Sequence, residues 1–257
     1  MARAQDTGRG ILPAASAEAK RRRSTGRPAP RPRVARGTLR RADILDAALD
    51  LVAREPARPL TMERVAAALG TRPMSLYTHV RNRDDLIEGA FDQVLARWRP
   101  GELAGPWEDA VRAWCQALRT VALPYAPLLR ELARPGHFHP GLLECAARLS
   151  AVLRRAGLTG AAHARAVRWI PQTILGAILL EAERPSHLKH VGDESAAIAG
   201  ALGRVGVASR QELAALLPYF DDLAEDDLFA YTVERLLDGL RAVLTEGEPA
   251  TNERTDS

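Results

Sequence analysis

Residues 70–73 read Gly-Thr-Arg-Pro, and they restrict the chain more than any other stretch. Glycine enters the left-handed conformation at no steric cost, so Gly70 ends a helix. Proline has its φ already set and no N–H to lose, so Pro73 opens one at its first position. Stopping one helix and starting the next within four residues forces a tight turn. Thr61 is placed to cap the first of the two helices, with Glu63 putting negative charge in its positive first turn. Val65, Ala66 and Leu69 recur at helical spacing and give that helix one apolar face. In the second helix Leu76 and Val80 point inward, four apart. Met74, Ser75, Tyr77, Thr78 and His79 are left largely outside, flanked by Arg72, Arg81 and Arg83. An exposed helix face of this chemistry suits the DNA major groove. An αα-hairpin with a solvated outer face shares the same spacing.

Charge separates along the chain. Residues 1–41 hold twelve Lys and Arg against Asp6 and Glu18, whereas the remaining 216 residues hold 24 basic and 30 acidic side chains. A polyanionic partner is therefore expected for the N-terminal part only. Residues 1–37 are rich in Arg, Pro, Ala and Gly, and are expected to be a disordered basic tail. Lys20 to Arg23, Arg27, Arg31, Arg33 and Arg36 are placed to follow phosphates beside the main site. Residues 246–257 are expected to be a second disordered tail.

The hydrophobic fraction of 46% supports a substantial core. No window of 18 consecutive apolar residues exists, so no membrane span is expected. The Arg-rich start lacks the apolar stretch of a secretory signal, which points to a cytoplasmic protein. Cys115 and Cys145 both fall in helical patterns and are expected to be buried free thiols.

No strand-period run is convincing, so the expected fold is all-α. A first helix spans about 38–54, and a fourth, capped by Asn82, spans about 83–98. Pro100, Gly101, Gly105 and Pro106 then mark a boundary. Beyond it, helices are expected near 107–122, 125–133, 140–155, 159–184 and 226–245. Pro171 should kink the long one. Pro185 to Ala208 reads as a long loop, and Ser209 with Glu212 as a capping box opening a short helix.

The run from Leu60 to Phe91 resembles the DNA-binding domain of the TetR family of bacterial repressors. The resemblance rests on Thr61, Val65, Ala66, Leu69, Gly70, Leu76, Tyr77, His79, Val80, Asn82, Arg83 and Leu86, and covers about residues 38–98. His79 followed by Val80 is closest to the tetracycline repressors. Residues 124–183 and the LLDGLRAVL run at 236–244 resemble the C-terminal ligand-binding and dimerisation domain of the same branch. The resemblance implies a three-helix helix-turn-helix domain over 38–98 and a larger helical domain over 99–245. It also implies a homodimer whose helices 159–184 and 226–245 pack as an intersubunit four-helix bundle. The partners it implies are a double-stranded DNA operator and a small-molecule effector.

Carried over position by position, the family's usage puts Tyr77 and His79 at the DNA. Arg72, Met74 and Ser75 would lie at base edges, and Thr61 and Arg83 on phosphates. Pro73 and Met74 differ from the tetracycline repressors' residues, which implies a different operator. Those repressors place a metal-coordinating histidine four residues before an Arg-Pro pair. With Arg134-Pro135 as that pair, Arg130 stands there, which argues against magnesium–tetracycline as effector. Trp114, Phe138, Trp169, Gln172 and Thr173 are candidates to line an apolar pocket with a few polar groups, although core packing explains the aromatics equally well. His137 and His139 flank Phe138 before Pro140, and are expected to be exposed turn residues in place of metal ligands. No cofactor or metal is expected. No nucleophile motif or glycine-rich phosphate loop appears. A helical enzyme with an appended basic tail is the alternative from another class.

Overall fold

The computed structural model describes residues 39–101, 103–133, 138–184, 193–220 and 223–246. The basic tail, the C-terminal tail, Arg134-Pro135 and His137 lie outside the described residues. Every regular element among the described residues is helical.

The N-terminal part packs α1 (Arg41–Arg54), α2 (Met62–Leu69), α3 (Pro73–Leu76) and α4 (Arg83–Leu95). α1 begins at Arg41 because Arg40 is extended, and its N–H donates to Asp43 Oδ2 at 2.9 Å. Ile44, Leu45, Ala48, Leu49 and Val52 form the buried stripe of α1. α2 is capped as the sequence implies: Thr61 Oγ1 accepts from the Arg64 N–H at 3.3 Å, and Gly70 ends the helix at φ 65°. Asn82 caps α4 by accepting from the Asp85 N–H at 2.8 Å. α4 buries Leu86, Ile87, Ala90, Phe91 and Val94, and packs on α1, α5, α6 and α7. Each such large apolar side chain contributes about 1.5–3 kcal/mol when fully buried.

The C-terminal part contains α5 (Trp107–Ala122), a 3-10 turn at Leu123–Tyr125, α6 (Ala126–Leu132), α7 (Pro140–Arg155), α8 (Gly160–Glu183) and α12 (Glu225–Glu246). α8 continues through Pro171 as one helix. Its stripe of Ala166, Ile170, Ile174 and Ile178 extends on both sides of the proline and is buried throughout. Gly157, at φ 103°, closes α7 as its sequence suggests.

Two local expectations are overturned. The stretch read as a loop from Pro185 to Ala208 contains α9 (Asp193–Leu202) and the start of α10 (Val207–Ala214). Its glycines weighed toward a loop, yet Ala196, Ala197, Ala199 and Ala201 have the highest helix propensity available and prevail. Ser209 and Glu212 do not form the entry of that helix. Gly206 occupies the cap, extended at φ −62° and ψ 159°, and Ser209 lies inside the first turn. α10 buries nothing, and α11 (Leu217–Phe220) follows it.

One apolar core runs through both halves, from Ile44 to Leu240. The seam is aromatic. Trp98, just after α4, meets Trp114 of α5 edge-on with ring centroids 6.2 Å apart, and Arg148 of α7 lies over Trp98 at 5.3 Å. Trp114 Nε1 donates to the Cys145 carbonyl at 2.8 Å. Both cysteines are buried and free, and burial pushes the Cys115 thiol up to about 12 and the Cys145 thiol up to about 11.

Candidate nucleic-acid interface

α3 has four helical residues and a following turn, in which the His79 and Val80 N–H groups both donate to the Leu76 carbonyl at 2.9 Å. Leu76 and Val80 are fully buried and anchor it. The side chains around them face out: Met74 is 75% exposed, Tyr77 46%, and Arg72, Ser75 and Thr78 are exposed. Pro73 and His79 are half-buried. The six sequence candidates on and beside this element therefore share one short convex ridge.

The ridge is fixed from behind by residues that sequence pattern did not single out. Arg41 of α1 donates through Nη1 to the His79 carbonyl at 3.0 Å and to Asp85 Oδ2 at 3.2 Å, and through Nη2 to Asp85 Oδ1 at 2.8 Å. Asp85 Oδ2 also accepts the Arg81 N–H at 2.7 Å. One carboxylate thus holds α1, the end of the reading turn and the start of α4 together. Hydrogen bonding from Arg41 lowers the Asp85 carboxyl from 3.8 to about 2, against the opposing effect of burial and with help from the Arg81 N–H and both arginine charges. Gly89 makes room for this. A Cβ there would meet Arg41 Nη2 at 2.7 Å and Leu45 Cδ2 at 3.2 Å. The available signal was a lone glycine inside a helical pattern, which usually has a packing reason.

Thr61 and Arg83 sit at the edge of the same surface. The Thr61 oxygen is committed to its cap, which leaves the hydroxyl's donor capacity for a phosphate. Arg83 differs from its expected setting. Its Nε donates to the Leu60 carbonyl at 2.8 Å, and its Nη2 to Glu131 Oε1 of α6 at 2.7 Å. In this structure the guanidinium is turned toward the C-terminal part.

The five pocket candidates are dispersed. Trp114 is core, held by the bond to Cys145. Phe138 is 74% exposed ahead of α7. Trp169, Gln172 and Thr173 share one side of α8: Trp169 is 44% exposed, Gln172 is exposed, and Thr173 Oγ1 donates to the Trp169 carbonyl at 2.9 Å. His139 corrects the expectation of an exposed turn residue, being only 3% exposed. It meets Phe91 edge-on at 5.5 Å, and its Nε2 lies 3.4 Å from Asp92 Oδ1. Gly141 permits that approach, since a Cβ there would sit 2.5 Å from Leu95 Cδ1. Among the described residues no group of three or more His, Cys, Asp or Glu is gathered to hold a metal.

A capped helix, a left-handed glycine turn, and a short second helix anchored inward and open outward define a helix-turn-helix regulator architecture. Residues 44–90 match the description "Bacterial regulatory proteins, tetR family", and residues 99–244 match "Tetracyclin repressor-like, C-terminal domain". The chain belongs to the TetR family. It is 38% identical over 98 residues to an HTH-type transcriptional regulator of Saccharopolyspora erythraea, a match spanning 36% of this chain and 42% of that protein. It is 26% identical over 217 residues to the HTH-type transcriptional repressor DrrR1 of Streptomyces coeruleorubidus, covering 80% of each. The structure is similar to that of ActR from Streptomyces coelicolor in complex with actinorhodin, with a TM-score of 0.66 and 27% identity over 80% of this chain and 97% of that one.

Proposed function

We propose that the chain is a homodimeric, ligand-inducible transcriptional repressor that binds a near-palindromic double-stranded operator in the cytoplasm. The observation that carries this is the α3 ridge. Arg72, Met74, Ser75 and Tyr77 are presented outward while Leu76 and Val80 hold the element to the core. Arg72, Met74 and Ser75 reach base edges, with Pro73 setting their direction at the start of the helix. Tyr77 and His79 lie against the DNA, and Thr61 and Arg83 take phosphates. The kinship to DrrR1, named as a repressor, supports the direction of regulation. The ActR–actinorhodin complex supports a small-molecule effector. Trp169, Gln172 and Thr173 are the accessible candidates for contacting it.

Dimerisation is supported by apolar surface on the two longest helices. Trp169 and Leu180 of α8, and Leu228, Tyr231 and Val243 of α12, are all exposed large hydrophobic residues. Exposed apolar side chains on both helices fit an association surface. Two copies related by a twofold axis place their α3 ridges in successive major grooves, about 34–36 Å apart.

A catalyst is the less favoured reading. Among the described residues, Ser150 and His163 form a hydrolase-like pair, at 3.0 Å between Oγ and Nε2. That same Nε2 also lies 3.0 Å from the Ser150 carbonyl, which only accepts, so the tautomer with a proton on Nε2 satisfies this contact and leaves that nitrogen no lone pair for the hydroxyl proton. A gel shift with the DNA upstream of the protein's own gene, alongside light scattering at micromolar concentration, tests the proposal. A retained, salt-sensitive complex and a dimeric mass are expected. A monomer that leaves every duplex unshifted overturns it.

A further inference from the structure

The Arg83 setting carries a consequence for how tightly the head holds DNA. Arg83 is the first residue of α4, immediately after the Asn82 cap. Its Nε is bound to the carbonyl of Leu60, the residue before the Thr61 cap of α2, so the base of the guanidinium is fixed beside the start of α2. Its outer nitrogen is held by Glu131 at 2.7 Å, and both side chains are about one-third exposed. Glu131 is not on the reading head. It belongs to α6, whose Ala126, Leu128, Leu129 and Leu132 are buried in the C-terminal core. The preceding residue, Arg130, pairs with Glu183 near the end of α8.

We propose that Glu131 and an operator phosphate compete for Arg83. This rests on Arg83 being a phosphate contact, as the proposed function has it. Charge-assisted hydrogen bonds to a carboxylate and to a phosphate use the same fork of N–H donors in the same plane. A phosphate that takes Arg83 through the Nη2 edge displaces Glu131, and Glu131 lowers DNA affinity in proportion to how well α6 presents it. The neighbouring Arg130–Glu183 pair ties that presentation to α8, so the C-terminal part regulates one phosphate contact of the head directly.

The test uses the full-length protein and the duplex retained in the gel shift, with affinity read by fluorescence anisotropy across a salt series. Glu131→Gln removes the competing charge and should tighten binding about two- to fivefold, the span of a partly exposed ion pair. Glu131→Asp keeps the charge but falls one methylene short of Arg83, and should tighten binding to a similar degree. Removing a repulsive charge near DNA, without competition, would instead leave Glu131→Asp like the wild type, and that result overturns the proposal. In an Arg83→Gln background, Glu131→Gln should have no further effect, and a persisting gain likewise overturns it. The underlying reading has its own readout: Arg83→Gln should reduce the slope of log K against log salt by about 0.9. An unchanged slope removes Arg83 from the phosphate contacts, whereas a reduced slope with an inert Glu131→Gln removes the competition alone.

Discussion

Replacing Asp85 by Asn keeps the shape of the side chain and removes the charge that joins α1, the reading turn and α4. The wild-type carboxylate accepts from both Arg41 nitrogens and from the Arg81 N–H. An amide offers one acceptor oxygen and turns an NH2 group toward one of those donors. Because the folded carboxyl is lowered from 3.8 to about 2, the folded chain prefers the ionised form by about 2.5 kcal/mol at 1.4 kcal/mol per pH unit. Arg41 is 42% exposed, and solvent screening reduces the expected loss to about 1 kcal/mol. For a chain of this size that is about 2–4 °C in Tm. The sign follows from linkage. A carboxyl with a depressed folded pKa contributes fully above its unfolded value, and the contribution fades as pH falls from 3.8 toward about 2. Denaturant unfolding of wild type and Asp85→Asn should therefore differ by a constant amount from pH 7 to about pH 4.5, narrow steadily below that, and converge below about pH 2. Operator affinity of the folded variant should fall as well, because Arg41 also holds the His79 carbonyl. A stability gap that persists unchanged at pH 2.5, or none at pH 7, would refute the assignment of the charge to this clamp.

Three further outcomes are expected. Tyr77→Ala should cost about 1–3 kcal/mol of specific operator binding with no change in Tm, and unchanged affinity in a competition assay would remove Tyr77 from the interface. Gly89→Ala should lower both Tm and operator affinity despite alanine's helix propensity, since its Cβ displaces Arg41 Nη2 from 2.7 Å; a gain in Tm on a melting curve would show that the space is larger than the structure has it. Deleting residues 1–37 should flatten the salt dependence of DNA binding by about 0.9 in log–log slope per lost phosphate contact while preserving preference among operators; an identical slope with and without the tail would place it away from DNA.

What the sequence disclosed was local. Thr61, Gly70, Pro73 and Asn82 each act on backbone groups within a few residues, so their roles could be derived from spacing, and the structure has them there. The Arg41–Asp85 clamp joins residues 44 apart, and nothing in either helix's periodicity marks the pairing. His139 illustrates the same limit: its loop signals are genuine, but its burial comes from Phe91 and Leu95 of α4, brought close by Gly141. In α9 the competing local signals were both present, and alanine propensity outweighed glycine. Residue type alone marks the pocket candidates, and type does not distinguish Trp114 in the core from Phe138 in the open.

The division of labour within α3 bears on how such a protein diverges. Two buried side chains, Leu76 and Val80, fasten the element, while Arg72, Met74, Ser75 and Tyr77 contribute almost nothing to the core. Surface substitutions of this kind usually alter stability by no more than about 0.5 kcal/mol. With these residues reading DNA as proposed, a lineage can rewrite its DNA address one side chain at a time without passing through unfolded ancestors, and duplicated copies are free to part toward separate genes while keeping one scaffold.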